Sequence, residues 1–445
     1  MTNLFKRYIY DKMVEWKIGS NGKTALLIEG ARRIGKTTIV KAFAINEYKS
    51  YILIDFAFAP KIVYNLFDDV SNLDFLFLQL QLHYAIDLHE RESLIIFDEV
   101  QFCPKARQAI KKLVADGRYD YVETGSLISI HKHVKDILIP SEERRITMHP
   151  MSFEEFLWAT GDVVTMTLLK KAFNAGRALG VETNRHIMRK FRLYMLIGGM
   201  PQAVSNYLEN NNLKYVDQTK RDILSLYKED FYKIDPTGKV SHLFEAIPSE
   251  LNRHSSRYQV SSVFPNHRVT TLAEEFSELI GSKTVLASYF STDPNTGLAA
   301  HKDNSRFRLY LSDTGLLITL MFLNKDFTDN IIYTKLLNDK LPVNLGIVYE
   351  NVVAQMLAVS GHKLYYHTFY NEKNKKNYEV DFLISYKNKI CPIEVKSSGY
   401  KVHTSLDLFS EKFSGRIAQK YVIYTRDYSK TADIAYLPIY YTPFL

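Results

Sequence analysis

The run of residues with the clearest chemistry is Gly30–Thr38, which contains the pattern G-x-x-x-x-G-K-[ST]. It directly follows a short apolar stretch that predicts a buried strand, and it opens a stretch with helical periodicity. Glycines let the backbone approach phosphates closely, and the amides at a helix N-terminus point toward an anion. We therefore expect a nucleotide-phosphate site formed by Gly30, Ala31, Arg32, Arg33, Ile34, Gly35, Lys36, Thr37 and Thr38.

A second chemical signal is the acidic pair Asp98-Glu99, which follows four apolar residues about 60 positions after Lys36. A strand that ends in an acid is the pattern that holds Mg²⁺ in phosphoryl-transfer sites. We expect Asp98 and the Thr37 hydroxyl to bind Mg²⁺, Lys36 to reach the β- and γ-phosphates, and Glu99 to orient or deprotonate the attacking water. Together the two patterns predict binding and hydrolysis of ATP with Mg²⁺.

A third set of chemical groups lies near the C-terminus. Glu394 and Lys396 share one face of a predicted strand because side chains alternate along a strand. Asp381 lies in the preceding predicted strand, and a helix bearing Glu350 comes before both. Two carboxylates and a lysine could hold Mg²⁺ and activate water for phosphodiester cleavage. The alternative is an ordinary Glu–Lys pair on the surface of a strand.

The elements around these groups predict an α/β protein with four parts. Residues 1–160 alternate between strands and helices, which indicates a parallel sheet wrapped by helices. Residues 161–240 have helical periodicity and complete the first module. Residues 241–330 predict a winged-helix-like domain, and residues 331–445 predict a second α/β domain with a hairpin loop at 371–377.

The wing of the predicted winged helix is the basic segment Ser305–Tyr310, which includes most of the predicted strand Phe307–Leu311. In that interpretation Arg306 and Arg308 contact phosphates, with Arg253, His254 and Arg257 nearby. The alternative is that these arginines form a solvated face or pack against the first module.

Composition excludes several classes of protein. The 445 residues are 46% hydrophobic and 24% charged, which is an ordinary globular balance. The stretches needed for a membrane span or a signal peptide are absent from the sequence, so we expect no membrane association. Two distant cysteines, Cys103 and Cys391, exclude a disulfide framework and favour the cytoplasm. The net charge of +8 is compatible with a polyanionic partner.

Taken together, these motifs resemble one family along nearly the whole chain. The resemblance is to prokaryotic AAA-type P-loop ATPases whose C-terminal half carries a domain of unknown function. The motifs that carry it are Gly30–Thr37, Leu94–Glu99, Thr124-Gly-Ser126, Arg144-Arg145, His149–Phe156, Ile197–Pro201, Tyr310–Leu317, Glu379–Asp381 and Glu394–Lys396.

The resemblance implies further roles. Thr124 or Ser126 would sense the γ-phosphate, and Arg144 or Arg145 would act as an arginine finger. The finger segment departs from the family, because a Gly-Arg pair is expected and this chain has Glu143 before the two arginines. The C-terminal layout of an acid followed by Glu-x-Lys resembles that of restriction-endonuclease-like nucleases.

Two functions follow as hypotheses. In the first, ATP controls a C-terminal domain that binds or cleaves DNA at Asp381, Glu394 and Lys396. In the second, the protein is an ATP-dependent switch whose nuclease-like domain is catalytically silent and binds a protein partner. A finger supplied by a neighbouring subunit would make the protein a homo-oligomer.

Overall fold

The computed structural model describes residues 4–125, 141–253, 255–323, 337–338 and 346–445. Ser126 and His254 lie outside the described residues. The chain divides into two compact units, one comprising residues 1–150 with 281–283 and the other comprising the remaining residues.

The N-terminal unit contains a five-stranded parallel sheet in the order β2-β3-β4-β1-β5. Every residue of β1, β3 and β4 is buried, as expected for strands covered on both faces. The strands are β1 Ala25–Glu29, β2 Ser50–Asp55, β3 Ser93–Asp98, β4 Asp120–Gly125 and β5 Glu143–Thr147. The helices are α1 Tyr8–Ser20, α2 Lys36–Glu47, α3 Lys61–Asn65, α4 Leu73–Tyr84 and α5 Pro104–Asp116.

Parallel pairing brings the chemistry of this unit to one edge of the sheet. The carboxyl ends of parallel strands meet at the same edge, so the loop after β1 and the acids at the end of β3 both lie there. The strand between them is β4, in which Thr124 is opposite Ile28 of β1. The predicted parallel sheet of a P-loop NTPase is therefore confirmed.

The second unit begins with helices, as the periodicity of residues 165–235 predicts. They are α6 Phe153–Ala159, α7 Thr165–Asn174, α8 Val181–Ile197, α9 Pro201–Asn210, α10 Leu213–Ile234, α11 Lys239–Glu245 and α12 Ile247–Asn252. Later helices are α13 Ala273–Gly281, α14 Thr314–Met321, α15 Gly346–Val359 and α16 Thr404–Phe413.

A mixed eight-stranded sheet follows, in the order β12-β13-β11-β10-β9-β8-β6-β7. The antiparallel β8–β9 hairpin confirms the loop predicted near residues 371–377. The strands are β6 Val285–Ser291, β7 Lys302–Leu311, β8 Tyr365–Asn371, β9 Lys376–Tyr386, β10 Lys389–Lys396, β11 Lys420–Tyr424, β12 Ser429–Lys430 and β13 Ile434–Pro438.

The strand predicted as a wing lies within this large sheet. β7 pairs with β6, and β6 pairs with β8. Residues Phe307–Leu311 are all buried, whereas a wing that contacts nucleic acid is exposed. Strands on both sides of residue 330 share this sheet. The predicted domain boundaries stay predictions.

Across the described residues, every helix is too short or too polar to span a lipid bilayer.

Candidate nucleotide site and C-terminal carboxylate cluster

The loop between β1 and α2 has the backbone that a phosphate cradle needs. Gly35 has φ +92°, in the left-handed region that glycine adopts without strain. Gly30 is tightly enclosed, since a Cβ on it would lie 2.4 Å from the carbonyl oxygen of Met148. Glycine is therefore required at Gly30 for space and at Gly35 for conformation.

The N-terminus of α2 is free to receive an anion. No side chain of the described residues caps it, and its first turn contains no acid. The first backbone N–H groups of a helix have no partner within the helix, and the helix dipole favours negative charge there. This is the position at which the sequence pattern predicts phosphate.

The Lys36 ammonium group lies against this loop. Its Nζ donates hydrogen bonds to the carbonyl oxygens of Gly30 and Ala31, both at 2.9 Å. Burial lowers the pKa of Lys36, while the negative charges of Glu99 and Asp98 act in the opposite direction. The structure therefore brings Lys36 together with the two acids, as the sequence predicts.

Asp98 accepts hydrogen bonds from two threonines. The Thr37 hydroxyl lies 3.0 and 2.9 Å from its two carboxylate oxygens, and the Thr124 hydroxyl also donates to it. The backbone N–H of Glu99 donates to the Thr124 hydroxyl at 3.3 Å. One carboxylate thus links α2, β3 and β4.

Glu99 has a strained backbone, with φ +52° in the left-handed region that non-glycine residues rarely adopt. The amide of Gln101 donates a hydrogen bond to its carboxylate. Gln101 is almost fully buried, and no sequence pattern marked it as a neighbour of Glu99.

These residues fit Mg²⁺ and ATP. Carboxylate and hydroxyl oxygens, here from Asp98 and Thr37, are the ligands that Mg²⁺ prefers. The lysine and the uncapped helix N-terminus supply the positive field that a triphosphate requires. The local geometry therefore supports the cofactors expected from the sequence.

The two candidate finger arginines lie elsewhere on the sheet. Arg144 and Arg145 pair with Leu26 and Leu27 near the start of β1, whereas the phosphate loop follows the end of β1. The Arg145 Nε donates to Glu143 at 2.6 Å, and its Nη1 lies 3.9 Å from Glu29. The structure does not bring either arginine to Lys36.

Beside them lies a buried ionic cluster that the sequence did not reveal. Arg107 of α5 forms a 3.0 Å ion pair with Glu143. Glu123 of β4 is fully buried, and its pKa is raised well above the usual value by burial and by the charge of Glu143. The Arg107–Glu143 pair ties α5 to β5.

In the second unit, β9 and β10 bring the three C-terminal residues together. Antiparallel pairing puts Ile393 opposite Phe382, so Asp381 and Glu394 are neighbours. Asp381 accepts a 2.8 Å hydrogen bond from the N–H of Val395, and Lys396 forms a 2.7 Å ion pair with Glu394. Burial, then the charges of Glu350 and Glu394, raise the pKa of Asp381.

A second cation, Arg308, faces the same carboxylates. Its guanidinium donates to Glu350 at 3.1 Å and also pairs with Glu379. Burial and the charge of Glu350 raise the pKa of Glu379 to about 7, although Arg308 opposes the shift. Arg308 was expected to contact phosphates from a wing, and the structure instead buries it among acids.

Of the other basic residues in or near the expected wing, Arg306 and Arg253 have local partners. Arg306 donates to the Thr368 hydroxyl at 3.2 Å and lies 3.7 Å from the ring centroid of Phe290. Arg253 forms an ion pair with Glu250. Arg257 is exposed.

No group of three or more metal-ligating side chains is assembled for a metal ion within the described ranges. Asp381 and Glu394 are neighbours among these residues, but they are not part of such a group.

Comparison with known families gives three matches along the chain. Residues 22–157 match the family AAA_14, described as an AAA domain. We refer to residues 22–157 below as the AAA domain, after the description of the family model that they match. Residues 188–326 match a domain of unknown function (DUF8612), and residues 345–441 match another (DUF4143). The DUF4143 match agrees with the resemblance to ATPases whose C-terminal half carries a domain of unknown function. Its description names no fold, so the nuclease-like fold stays a prediction.

No curated protein matches the chain. Among solved structures, the Walker-type ATPase PABY2304 of Pyrococcus abyssi is 15% identical, with a TM-score of 0.44, and the match covers 72% of this chain and 96% of that one. The Orc1 protein of Aeropyrum pernix, solved in complex with DNA, is 10% identical with a TM-score of 0.27 and covers 73% and 94%. At these TM-scores the similarity does not indicate what this chain binds.

Proposed function

We propose that the AAA domain is a Mg²⁺-dependent ATPase. The observation that carries this proposal is the meeting of Thr37, Asp98 and Thr124 beside Lys36 and the uncapped N-terminus of α2. Bound Mg²⁺ would neutralise charge on the β- and γ-phosphates. Lys36 and the loop amides bind and orient the phosphates, Glu99 orients the attacking water, and Thr124 senses the γ-phosphate.

The test is ATP hydrolysis by the purified full chain and by Lys36→Ala. Lys41→Ala is the matched control, because Lys41 is an exposed lysine on the same helix. Lys36→Ala is expected to lose hydrolysis and to bind ATP weakly, while Lys41→Ala hydrolyses ATP normally. Equal rates for the parent chain and Lys36→Ala would overturn the proposal.

For the arginine finger we propose action between subunits. Arg144 is exposed and forms no ion pair among the described residues, whereas Arg145 pairs with Glu143 and Glu29. Arg144 is therefore the arginine available to a neighbouring copy. Mixing Arg144→Ala with Lys36→Ala should restore ATP hydrolysis, since active interfaces form between unlike subunits; no recovery would count against a finger supplied in trans.

We further propose that the nucleotide state of the AAA domain controls a nuclease-like C-terminal domain that acts on DNA in the cytoplasm. The support is the adjacency of Asp381 and Glu394 and the ion pair of Glu394 with Lys396. These groups would hold Mg²⁺ and position water at a phosphodiester.

The second candidate is a silent nuclease-like domain that binds a protein partner. The observation that favours it is Arg308, whose positive charge already balances Glu350 and Glu379 beside Asp381. A cation in that place repels a metal ion bound at Asp381.

Nicking of supercoiled DNA with Mg²⁺ distinguishes the two candidates. The nuclease proposal predicts nicking that Lys396→Ala removes while ATP hydrolysis persists. Lys389→Ala is the control, because Lys389 is an exposed lysine of the same strand. Absence of cleavage on every DNA and RNA form would leave the silent switch.

A further inference from the structure

A surface groove of about 690 Å³ lies in the second unit, apart from the carboxylate cluster. Its basic lining residues are Arg257, His267 and Arg268, and the other polar ones carry hydroxyl or amide groups. None of the described residues that line it is acidic. We call this feature the basic groove.

The two arginines of the basic groove are available to a ligand. Both are exposed, and neither forms an ion pair within the part of the chain that the structure describes. Glu250, the acid nearest in sequence to Arg257, is already used: it accepts the N–H of Gln259 at 2.6 Å and pairs with Arg253 at 3.2 Å. Glu250 therefore does not neutralise the positive charge of the basic groove.

The donors of the basic groove suit phosphate oxygens. Guanidinium groups bind phosphate through two parallel hydrogen bonds, and hydroxyl and amide side chains commonly complete contacts to a nucleic-acid backbone. A cationic or purely apolar ligand would meet two arginines and leave these donors without acceptors.

The basic groove also leads toward the carboxylates. It shares Arg257 and Tyr258 with a cavity of about 110 Å³ that Glu350, Glu379 and Asp381 line. A chain of phosphates lying in the groove would thus approach Asp381 at one end. This continuity favours a nucleic acid over an acidic polypeptide as the occupant.

We propose that the basic groove binds the phosphodiester backbone of a nucleic acid and guides it toward Asp381. The proposal rests on the proposed action of the C-terminal domain on DNA and names the surface that such a substrate would contact.

The test is binding of fluorescein-labelled single-stranded and duplex DNA, measured by anisotropy in EDTA without nucleotide. The variant is Arg257→Ala with Arg268→Ala. The matched control is Arg185→Ala with Arg189→Ala, which removes the same charge from exposed positions of α8. The groove variant should bind about tenfold more weakly, and its slope of log affinity against log salt should be shallower by about 1.4 to 1.8.

Equal affinities for the two double variants would overturn the proposal. Displacement of DNA from the parent chain by poly-glutamate at equal charge concentration would also overturn it, since the groove would then fit an acidic polypeptide. Both double variants should unfold at the temperature of the parent chain and hydrolyse ATP without DNA at the same rate. The binding assay is independent of the nuclease proposal, because EDTA prevents cleavage. Weaker DNA binding by the groove variant supports the groove proposal even if the parent chain does not nick DNA. Equal binding refutes it even if the parent chain nicks DNA normally.

Discussion

At the scale of single residues, Asp98 is the centre of the nucleotide site. The spacing of the motifs predicted its proximity to Thr37, because both belong to a pattern with a known mechanism. The contact with Thr124 depends on the register of β4, and the sequence left Thr124 and Ser126 as alternatives. The structure brings Thr124 to Asp98, while Ser126 lies outside the described residues.

Glu99→Gln should bind ATP with near-normal affinity and hydrolyse it at least about 100-fold more slowly, because the amide cannot orient and deprotonate water as the carboxylate does. Binding is measured with a fluorescent ATP analogue, and turnover by phosphate release. The control is Glu92→Gln, an exposed glutamate paired with Lys49. Hydrolysis by Glu99→Gln at the parent rate would remove Glu99 from its role.

At the scale of elements, the loop after β1 shows what sequence patterns can predict. The glycines, the lysine and the flanking strand and helix were all predicted from their order along the chain. The positions of Arg144 and Arg145 could not be predicted in this way. They depend on the parallel pairing of β5 with β1, which decides the end of β5 that lies beside the phosphate loop. The buried Arg107–Glu143 pair joins residues that are 36 positions apart. The hydrophobic periodicity of a helix or strand does not predict contacts between residues so far apart in sequence.

Gly30→Ala should destabilise the AAA domain by about 1–3 kcal/mol, since the added methyl group would press against the Met148 carbonyl. Gly19→Ala, near the end of α1, is the control because nothing lies within 4 Å of the added Cβ. Urea unfolding is followed by Trp16 fluorescence in a Trp158→Phe background, so that the signal comes from the N-terminal unit. Equal unfolding midpoints for both variants would contradict the close approach at Gly30.

His149, which follows β5, should make the N-terminal unit sensitive to acid. Burial and the positive charges of Lys12, Lys283 and Arg7 lower its pKa to about 4, against about 6.5 in an unfolded chain. Below pH 6.5 the unfolded state binds the proton first, so the free energy of unfolding falls as the pH drops from 6.5 toward 4.

His149→Gln should therefore lose less stability over that range than the parent chain. Urea unfolding at pH 7.0, 5.5 and 4.5, read by Trp16 as above, measures the difference. His83→Gln changes an exposed histidine of α4 and should follow the parent. Parallel stability curves for His149→Gln and the parent would contradict the assigned pKa.

At the scale of the whole molecule, the sequence predicts an N-terminal parallel sheet followed by C-terminal strands. It does not predict that β6 and β7, from residues 241–330, join those C-terminal strands in one sheet. Alternating apolar runs indicated the parallel sheet, and strand patterns after residue 360 indicated the C-terminal part of the second sheet. The basic strand β7 suggested an exposed wing because Arg306 and Arg308 are charged. Their partners Thr368, Glu350 and Glu379 are 42 to 71 positions away, so only the folded sheet reveals that β7 is buried.

The central claim is that ATP turnover in the AAA domain is coupled to nucleic acid through the C-terminal domain. Its most direct test is phosphate release by the full chain with ATP and Mg²⁺, measured without DNA, with single-stranded DNA and with duplex DNA. Lys36→Ala supplies the background rate. We predict that at least one form of DNA raises the rate several-fold above that of the protein alone. A rate above background that neither form of DNA changes would contradict the coupling.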